Sequence, residues 1–266
     1  MQYLGALPQF TVGHTTLFLR WLLLLGVLLC ASVPARALEM VLSDATLISG
    51  QNAAIGIEYF RDATGQLQRQ DVQQLPASSW TVSTAEVPSM GFDTAAYWLR
   101  LRVNNASAIN HSLVLEIAYP ILDDIQAHIL QGDQIQQYQL GDNYPFSIRP
   151  VNHHNFAIPL ALAAGESSWI YLRVVTETSV QIPLLLWDRE HFFEQQQGAL
   201  IGHGLYFGML LVMTIYNLFI FITVRHSSYL YYAGSVAALA IVMTTMHGFG
   251  FQYLWPDFPA ANRWML

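Results

Sequence analysis

One boundary, near Gln197, constrains this chain more than any other feature. Upstream of it the sequence is polar and alternates in the manner of β-strands. Downstream come two long apolar segments, 199–224 and 229–249. Each exceeds the ~20 residues a helix needs to cross a bilayer. Only Arg225, His226, Ser227 and Ser228 separate them, so the pair reads as a transmembrane hairpin. A folded domain wired directly into membrane helices is the layout of a receptor or sensor. The sequence stops at Trp264, Met265 and Leu266, where a third apolar run would begin, and so reads as the front end of a larger protein.

The average composition, 53% hydrophobic and 11% charged, conceals a split. The apolar excess sits in the N-terminal leader and the last third, while 38–190 is long enough for one β-sandwich-sized domain with its own core. All 11 basic residues are Arg, and the net charge is −7. With no basic stripe, nucleic acid is excluded as a partner. In the leader, Arg20 precedes an apolar core (21–33), and Ala35-Arg36-Ala37 supplies a small-x-small cleavage pattern. Residues 1–37 are therefore expected to be a signal peptide cut after Ala37, with an uncleaved anchor as the alternative. The lone cysteine, Cys30, falls inside it, which suits an exported domain free of thiol chemistry.

Between residues 38 and 188 the hydrophobic period is two. Tyr97, Leu99, Leu101 and Val103 share one face, and Trp98, Arg100 and Arg102 the other. In 169–175, Ile170, Leu172 and Val174 oppose Trp169, Tyr171 and Arg173. In 112–118, Leu113, Leu115 and Ile117 oppose Val114, Glu116 and Ala118. Further strands are expected at 40–48, 54–59, 124–130, 134–140, 155–159 and 180–187, punctuated by turns such as Gly132-Asp133 and Gly141-Asp142-Asn143. The fold class is an all-β sandwich, jelly-roll-like, followed by a transmembrane α-helical hairpin. Residues 38–188 form the sandwich and 189–198 a juxtamembrane stalk. The polar stalk either continues into the first membrane helix or acts as a spacer. A membrane unit starts at 199.

An exported sandwich puts the 225–228 turn in the cytoplasm, in weak agreement with the positive-inside bias, and places 253–256 (Tyr-Leu-Trp-Pro) at the outer interface. Gly204 and Gly208 are spaced for close helix approach. Asn217, Thr244, Thr245 and His247 are polar groups at membrane depth and are expected to face protein, as helix–helix bonds or, for His247, in a signalling role.

No catalytic constellation is present in the sequence. Asp123 and Asp124 are adjacent on a strand and so point to opposite faces. His153 and His154 meet the same objection as a metal pair. Without a phosphate loop or nucleotide fingerprint, neither a cofactor nor an enzyme activity is expected. The stronger signal is the repeated aromatic-plus-arginine face, Trp98-Arg100-Arg102 and Trp169-Tyr171-Arg173. Rings stack on sugars, and guanidinium forks grip carboxylates or phosphates. In one sheet these side chains could line a concave binding surface. Alternatively the rings complete a core while Arg pairs with Glu116 or another acid. The 144–150 loop is a second candidate, as a pocket rim or as Pro-rich bracing.

Several motifs together resemble a known family. They are Tyr97-Trp98-Leu99-Arg100, the 115–120 strand (Leu-Glu-Ile-Ala-Tyr-Pro), the loop Pro145-Phe146…Arg149-Pro150…His154-Asn155-Phe156, Gly204-Leu205-Tyr206-Phe207-Gly208, Tyr216-Asn217-Leu218-Phe219, the 228–232 run and 248–256. They resemble the bacterial seven-transmembrane receptors with diverse intracellular signalling modules (7TMR-DISM), from about residue 39 onward. The resemblance implies a periplasmic jelly-roll domain for a carbohydrate-like or other small ligand, a seven-helix inner-membrane unit and a cytoplasmic output module. This sequence contains two of those seven helices. Trp98, Arg100, Arg149 and His154 are the candidate ligand-binding residues. The expected partners are a small ligand and the lipid bilayer, with a second copy of the chain as a further option. The competing reading is a membrane-tethered sandwich that docks onto a partner protein without a small-molecule pocket.

Overall fold

The computed structural model describes residues 39–42 and 50–265. The expected signal peptide and residues 43–48 of the first expected strand lie outside the described residues. The larger of two facing sheets runs in the order β4 (Thr81–Val82), β3 (Glu58–Asp62), β6 (Ala96–Asn105), β11 (Ser167–Val175), β8 (Asp124–Gln131), β9 (Gln134–Leu140). β1 (Glu39–Leu42) joins β6 in parallel along the half that β3 leaves free. The smaller sheet runs β10 (Phe156–Leu162), β7 (His111–Ile117), β13 (Leu184–Asp188), β2 (Gln51–Asn52). A separate ribbon pairs β5 (Ser89–Phe92) with β12 (Ser179–Gln181). From β6 onward the chain crosses repeatedly between the sheets, so neighbours within a sheet are rarely consecutive in sequence. That interleaving is what a jelly-roll-like sandwich requires.

Alternation sets the core. Tyr97, Leu99, Leu101 and Val103 of β6 and Ile170, Leu172 and Val174 of β11 point between the sheets, against Leu113, Leu115 and Ile117 of β7 and Phe156, Ile158 and Leu160 of β10. Two expected strands differ in the structure. The 54–59 segment starts as a turn through Gly56 (φ 81°), which delays β3 to Glu58. The 180–187 segment divides at Pro183, whose nitrogen cannot donate to a ladder. Its first part joins the ribbon as β12 and its second joins the small sheet as β13.

A short helix, α1 (Arg69–Gln73), interrupts the β-region; the sequence pattern gave no sign of it. Thereafter α2 runs unbroken from Arg189 to Val224, capped by Asp188, whose carboxylate accepts from the Glu190 N–H. The stalk is thus the first part of the membrane helix. At ~1.5 Å per residue α2 spans roughly 54 Å. It ends at Arg225 in the left-handed conformation (φ 58°), and α3 (Ser227–Met246) returns. A π-turn (Gly250–Leu254) and α4 (Ala260–Met265) follow. α2 and α3 are both long and apolar enough to cross a membrane.

Strand register fixes how α2 leaves the domain. β13 runs antiparallel to β7, with Asp188 opposite Leu113, so the strand ends far from the Ile117 end of β7. The helix then doubles back over the outer face of the small sheet, where Phe192 is fully buried against Val114, Ala157 and Trp187. This cover explains why β7 is buried on both faces from Leu113 onward, instead of alternating. Asn217 and Thr245 are buried within the helical pair and return hydrogen bonds to their own helices, at Met213 and Ile241 carbonyls. Gly204 and Gly208 have nothing within 4 Å of an added Cβ, so among the described residues no helix packs in direct contact at them.

Candidate functional site

The four residues singled out from sequence fall in two places. Trp98 and Arg100 project from β6 on the outer face of the large sheet. That face is not open: residues 63–79, including α1, lie over it and build a second small core of Val72, Trp80, Trp98 and Tyr171. Trp98 is 1% exposed. The Arg100 Nε donates to Glu58 Oε2 at 2.6 Å, and its guanidinium lies 4.2 Å from the Trp80 ring centre. Glu58, from the neighbouring β3, is the partner that sequence reasoning missed. The expected alternative, Glu116, belongs to the other sheet. A lone acid in an otherwise apolar strand position, Glu58 opposite Arg100, was the available signal.

Arg149 and His154 lie instead at the end of the sandwich where β7 finishes and β10 begins, against the segment that follows α3. Arg149 donates to the carbonyls of His153 (3.0 Å) and His154 (2.8 Å). Its guanidinium stacks on Phe146, Phe156 and Phe251, at 4.6, 4.5 and 5.4 Å from the ring centres. Burial pulls it down to about 9, so it keeps its charge at neutral pH. Nearby Asp142 is pushed up to about 8 by burial and by Asp123. The His154 ring stacks on Phe249 at 4.4 Å. Burial, with His153, His203, Arg149 and His247 adding repulsion, pulls His154 down to about 3. Four histidines thus meet here: His153 and His154 from the sandwich, His203 from α2 and His247 from the end of α3.

More contacts complete this collar. The Phe146 N–H donates to the Pro256 carbonyl (2.9 Å), and Gln252 Nε2 donates to Asn152 Oδ1 (2.9 Å). Phe146 and Phe251 meet edge to face at 5.6 Å. Gly248 sits at φ 74°, where an added Cβ would lie 2.7 Å from the His154 carbonyl and 2.8 Å from the Pro120 side chain, so only glycine fits. Beneath the stalk, the buried Glu116 carboxylate accepts from Trp187 Nε1 (2.8 Å) and Asn155 Nδ2 (2.7 Å). His153 packs edge-on against Phe192 at 4.9 Å. Phe192 was legible as an aromatic break in a polar stalk. The collar partners after α3 lie about a hundred residues away in sequence and left no local mark.

The remaining candidates are occupied structurally. Asp123 accepts from Thr176 Oγ1 and the Glu177 N–H, and Asp124 is held by Gln139, Tyr144 and Arg173. Among the described residues no group of three or more His, Cys, Asp or Glu is placed to hold a metal ion. At the opposite end of the sandwich an open cleft of about 660 Å³ lies among Asn110, His111, Gln131, Asp133 and Glu166. Most of these groups are already bonded: Asn110 to the Ala164 N–H, Glu166 to the Ala163 N–H, and Gln131 to the Ala161 carbonyl.

Comparison with known proteins gives a coherent answer. Residues 55–188 match the family described as 7TMR-DISM extracellular 2, and residues 200–266 match 7TM diverse intracellular signalling. No curated protein matches the chain. Two solved structures align with the chain only weakly. One is the GH115 4-O-methyl-alpha-glucuronidase BtGH115A (10% identity, TM-score 0.27), over 55% of this chain and 18% of that one. Another is the exo-beta-1,3-galactanase Pc1,3Gal43A of Phanerochaete chrysosporium (10% identity, TM-score 0.21), over 42% of this chain and 31% of that one. Residues 189–199, the first turns of α2, separate the two family matches. The chain belongs to the 7TMR-DISM receptors.

Proposed function

We propose that this chain is the ligand-sensing part of a bacterial inner-membrane receptor. Its sandwich lies in the periplasm and binds a carbohydrate-like or other small ligand. Binding changes how the sandwich grips the membrane helices, which relay the change to a cytoplasmic output module beyond these residues. One observation carries this reading: the sandwich is attached to the membrane hairpin at both ends of that hairpin. Phe192 seats the start of α2 in the small sheet, and Phe146, Arg149 and His154 clasp the segment after α3. No flexible linker separates β13 from α2, so a shift within the sheets must move a helix.

The test uses the whole chain in lipid nanodiscs, screened with mono- and disaccharides, small carboxylates and peptidoglycan fragments. A sensor's ligand raises the melting midpoint and changes amide exchange at Arg189–Gln197 or Gly250–Leu254. If none binds, or a ligand binds without altering either segment, relay through the collar is refuted. Capture of a protein partner by the same surface would then favour docking.

A further inference from the structure

Among the described residues the most exposed large hydrophobic side chain is not in the membrane helices. It is Phe92, 83% exposed, at the end of β5. That exposure is built into the fold. Strict alternation would put Phe92 on the same face as Met90, which packs against the main core. Gly91 between them takes a φ of 72°, and opposite it the register with β12 slips between Val180 and Gln181. Alternation breaks at this bulge, and Phe92 turns outward. Val180 and the adjoining Ile182 are fully buried, so the ribbon is rooted in the core. The next residue, Asp93, accepts from Arg61 Nε (2.6 Å), Arg61 Nη2 (3.0 Å), the Tyr97 hydroxyl (2.7 Å) and the Ala95 N–H (3.1 Å). A ring held out of the core on so firm a mount needs a reason other than packing.

Phe92 stands at the end of the sandwich that meets the membrane helices. It pairs with Ser179 of β12. Just before that strand, Thr178 Oγ1 donates to the Ile121 carbonyl and the Glu177 N–H to the Asp123 carboxylate, both beyond the collar end of β7. The Glu177 carboxylate in turn accepts from Arg263 of α4, at 2.9 and 3.1 Å. Ser179 is two residues from Glu177, at most about 7 Å along the chain. The ribbon is therefore level with α4 and the turn before it, where exposed Phe258 and Trp264 meet edge to face at 5.8 Å. α4 itself lies within the stretch that matches the membrane family. Asp93 is paired with Arg61 and Glu177 with Arg263. These pairings keep the chain's net charge of −7 from repelling anionic headgroups at this rim.

We propose that the tip of the β5–β12 ribbon is a membrane-contact element, with the Phe92 ring seated in the leaflet that faces the sandwich. Its partner is the lipid surface itself, at the depth where acyl chains meet headgroups. Continuity with the membrane helices carries this choice: the ribbon adjoins the ends of α3 and α4, so the surface beside it is lipid. Aromatic rings favour that depth. A folded protein partner is a poorer match, because Phe92 is a single prong between Gly91 and Asp93 and not part of a broad apolar patch. A fluid layer accepts one ring without a complementary shape. The contact goes beyond the sensor reading and stands whatever the sandwich binds. It gives the sandwich a hold on the membrane that passes through neither the Phe192 seat nor the collar.

The experiment uses the intact chain with Cys30→Ser, in nanodiscs of phosphatidylethanolamine and phosphatidylglycerol. Phe92→Cys carries a small fluorophore. Ile109→Cys, exposed between β6 and β7 at the opposite end of the sandwich, carries the same label as control. Lipids with a nitroxide near the glycerol are expected to quench the label at 92 and to spare the one at 109, while aqueous iodide does the reverse. Iodide quenching at 92 as strong as at 109, without lipid quenching, would overturn the proposal. Protection at 92 from both quenchers would overturn it too, since protein, such as a second copy or another helix, then covers the ring. A second readout needs no label. Phe92→Ser is expected to speed amide exchange of Ser89–Phe92 and Ser179–Gln181 several-fold, with β6 and β11 unchanged, and Phe92→Trp to keep the parent rates. Ribbon exchange that ignores Phe92→Ser would show that the ring holds nothing, and the proposal would fail.

Discussion

Phe192→Ala should release the stalk from the sandwich while leaving both otherwise folded. Phe192 is fully buried among Val114, Ala157, Trp187 and the His153 ring. A buried aromatic side chain removes roughly 150–200 Å² from water, and Ala would retain about a third of that. At ~25 cal/mol per Å² the lost transfer energy is about 2.5–3.3 kcal/mol. An incompletely collapsed cavity adds to it, giving about 3–4 kcal/mol. The contacts join two elements, so the loss should fall on docking, not on the sandwich core. Undocked, a short polar helix end is marginal and frays. Hydrogen exchange of the intact chain in nanodiscs should therefore show Arg189–Gln197 amides exchanging roughly two to three decades faster. Amides of β6 and β11 should keep their rates. Phe193→Ala is the control, because Phe193 is 41% exposed and should change stability by about 0.5 kcal/mol or less. Unchanged stalk exchange in Phe192→Ala would refute the reasoning, since the helix would then be held by something other than this seat.

Further outcomes follow from the same contacts. Gly248→Ala should loosen the segment after α3, because the new methyl meets the His154 carbonyl and the Pro120 side chain; amide exchange at Gly250–Leu254 should rise, and unchanged exchange would mean that the close approach is not needed. Trp187→Phe removes a donor from the buried Glu116 carboxylate and should destabilise the domain by about 1–3 kcal/mol in a thermal melt; an unchanged melt would mean that water replaces the bond. Acid should loosen the collar. Burial holds His153 and His154 below the ordinary histidine value of about 6.5, so docking is intact above that pH and weakens as pH falls toward about 3. Asp142, raised to about 8, works in the opposite direction over pH 4–8, so the histidine effect is read as the difference between the parent and His154→Phe. Identical acid profiles for the two would remove His154 from the account.

The alternation of β6, β8 and β11 was legible because each strand gives one face to the main core, and period two follows directly from that. Where the chain bends, the pattern gave out. Gly56 delays β3 and Pro183 divides β12 from β13, although both residues were visible as breakers. The division of β6 into an aliphatic face and a Trp98-Arg100-Arg102 face was also legible. What lay over the second face was not, because α1 buries one residue and so has no periodicity to read. The candidate residues divided for a related reason. Arg149 and His154 read as loop residues of the same domain as Trp98 and Arg100, yet their partners Phe249 and Phe251 come from beyond the second membrane helix. Only the folded topology brings those segments together.

The two-ended clasp on the hairpin also bears on how the protein is inserted during synthesis. The turn between α2 and α3 carries a single Arg, a feeble instruction to an insertion machinery that counts positive charges. The clasp adds a second check. Phe192 at the start of α2 and Gly248 after α3 can reach the same sandwich only if both helix ends emerge on one side, so a hairpin with one helix inserted loses its collar contacts. Folding of the β-domain thereby acts as a proofreading step for insertion, favouring the state in which the hairpin is held at both ends.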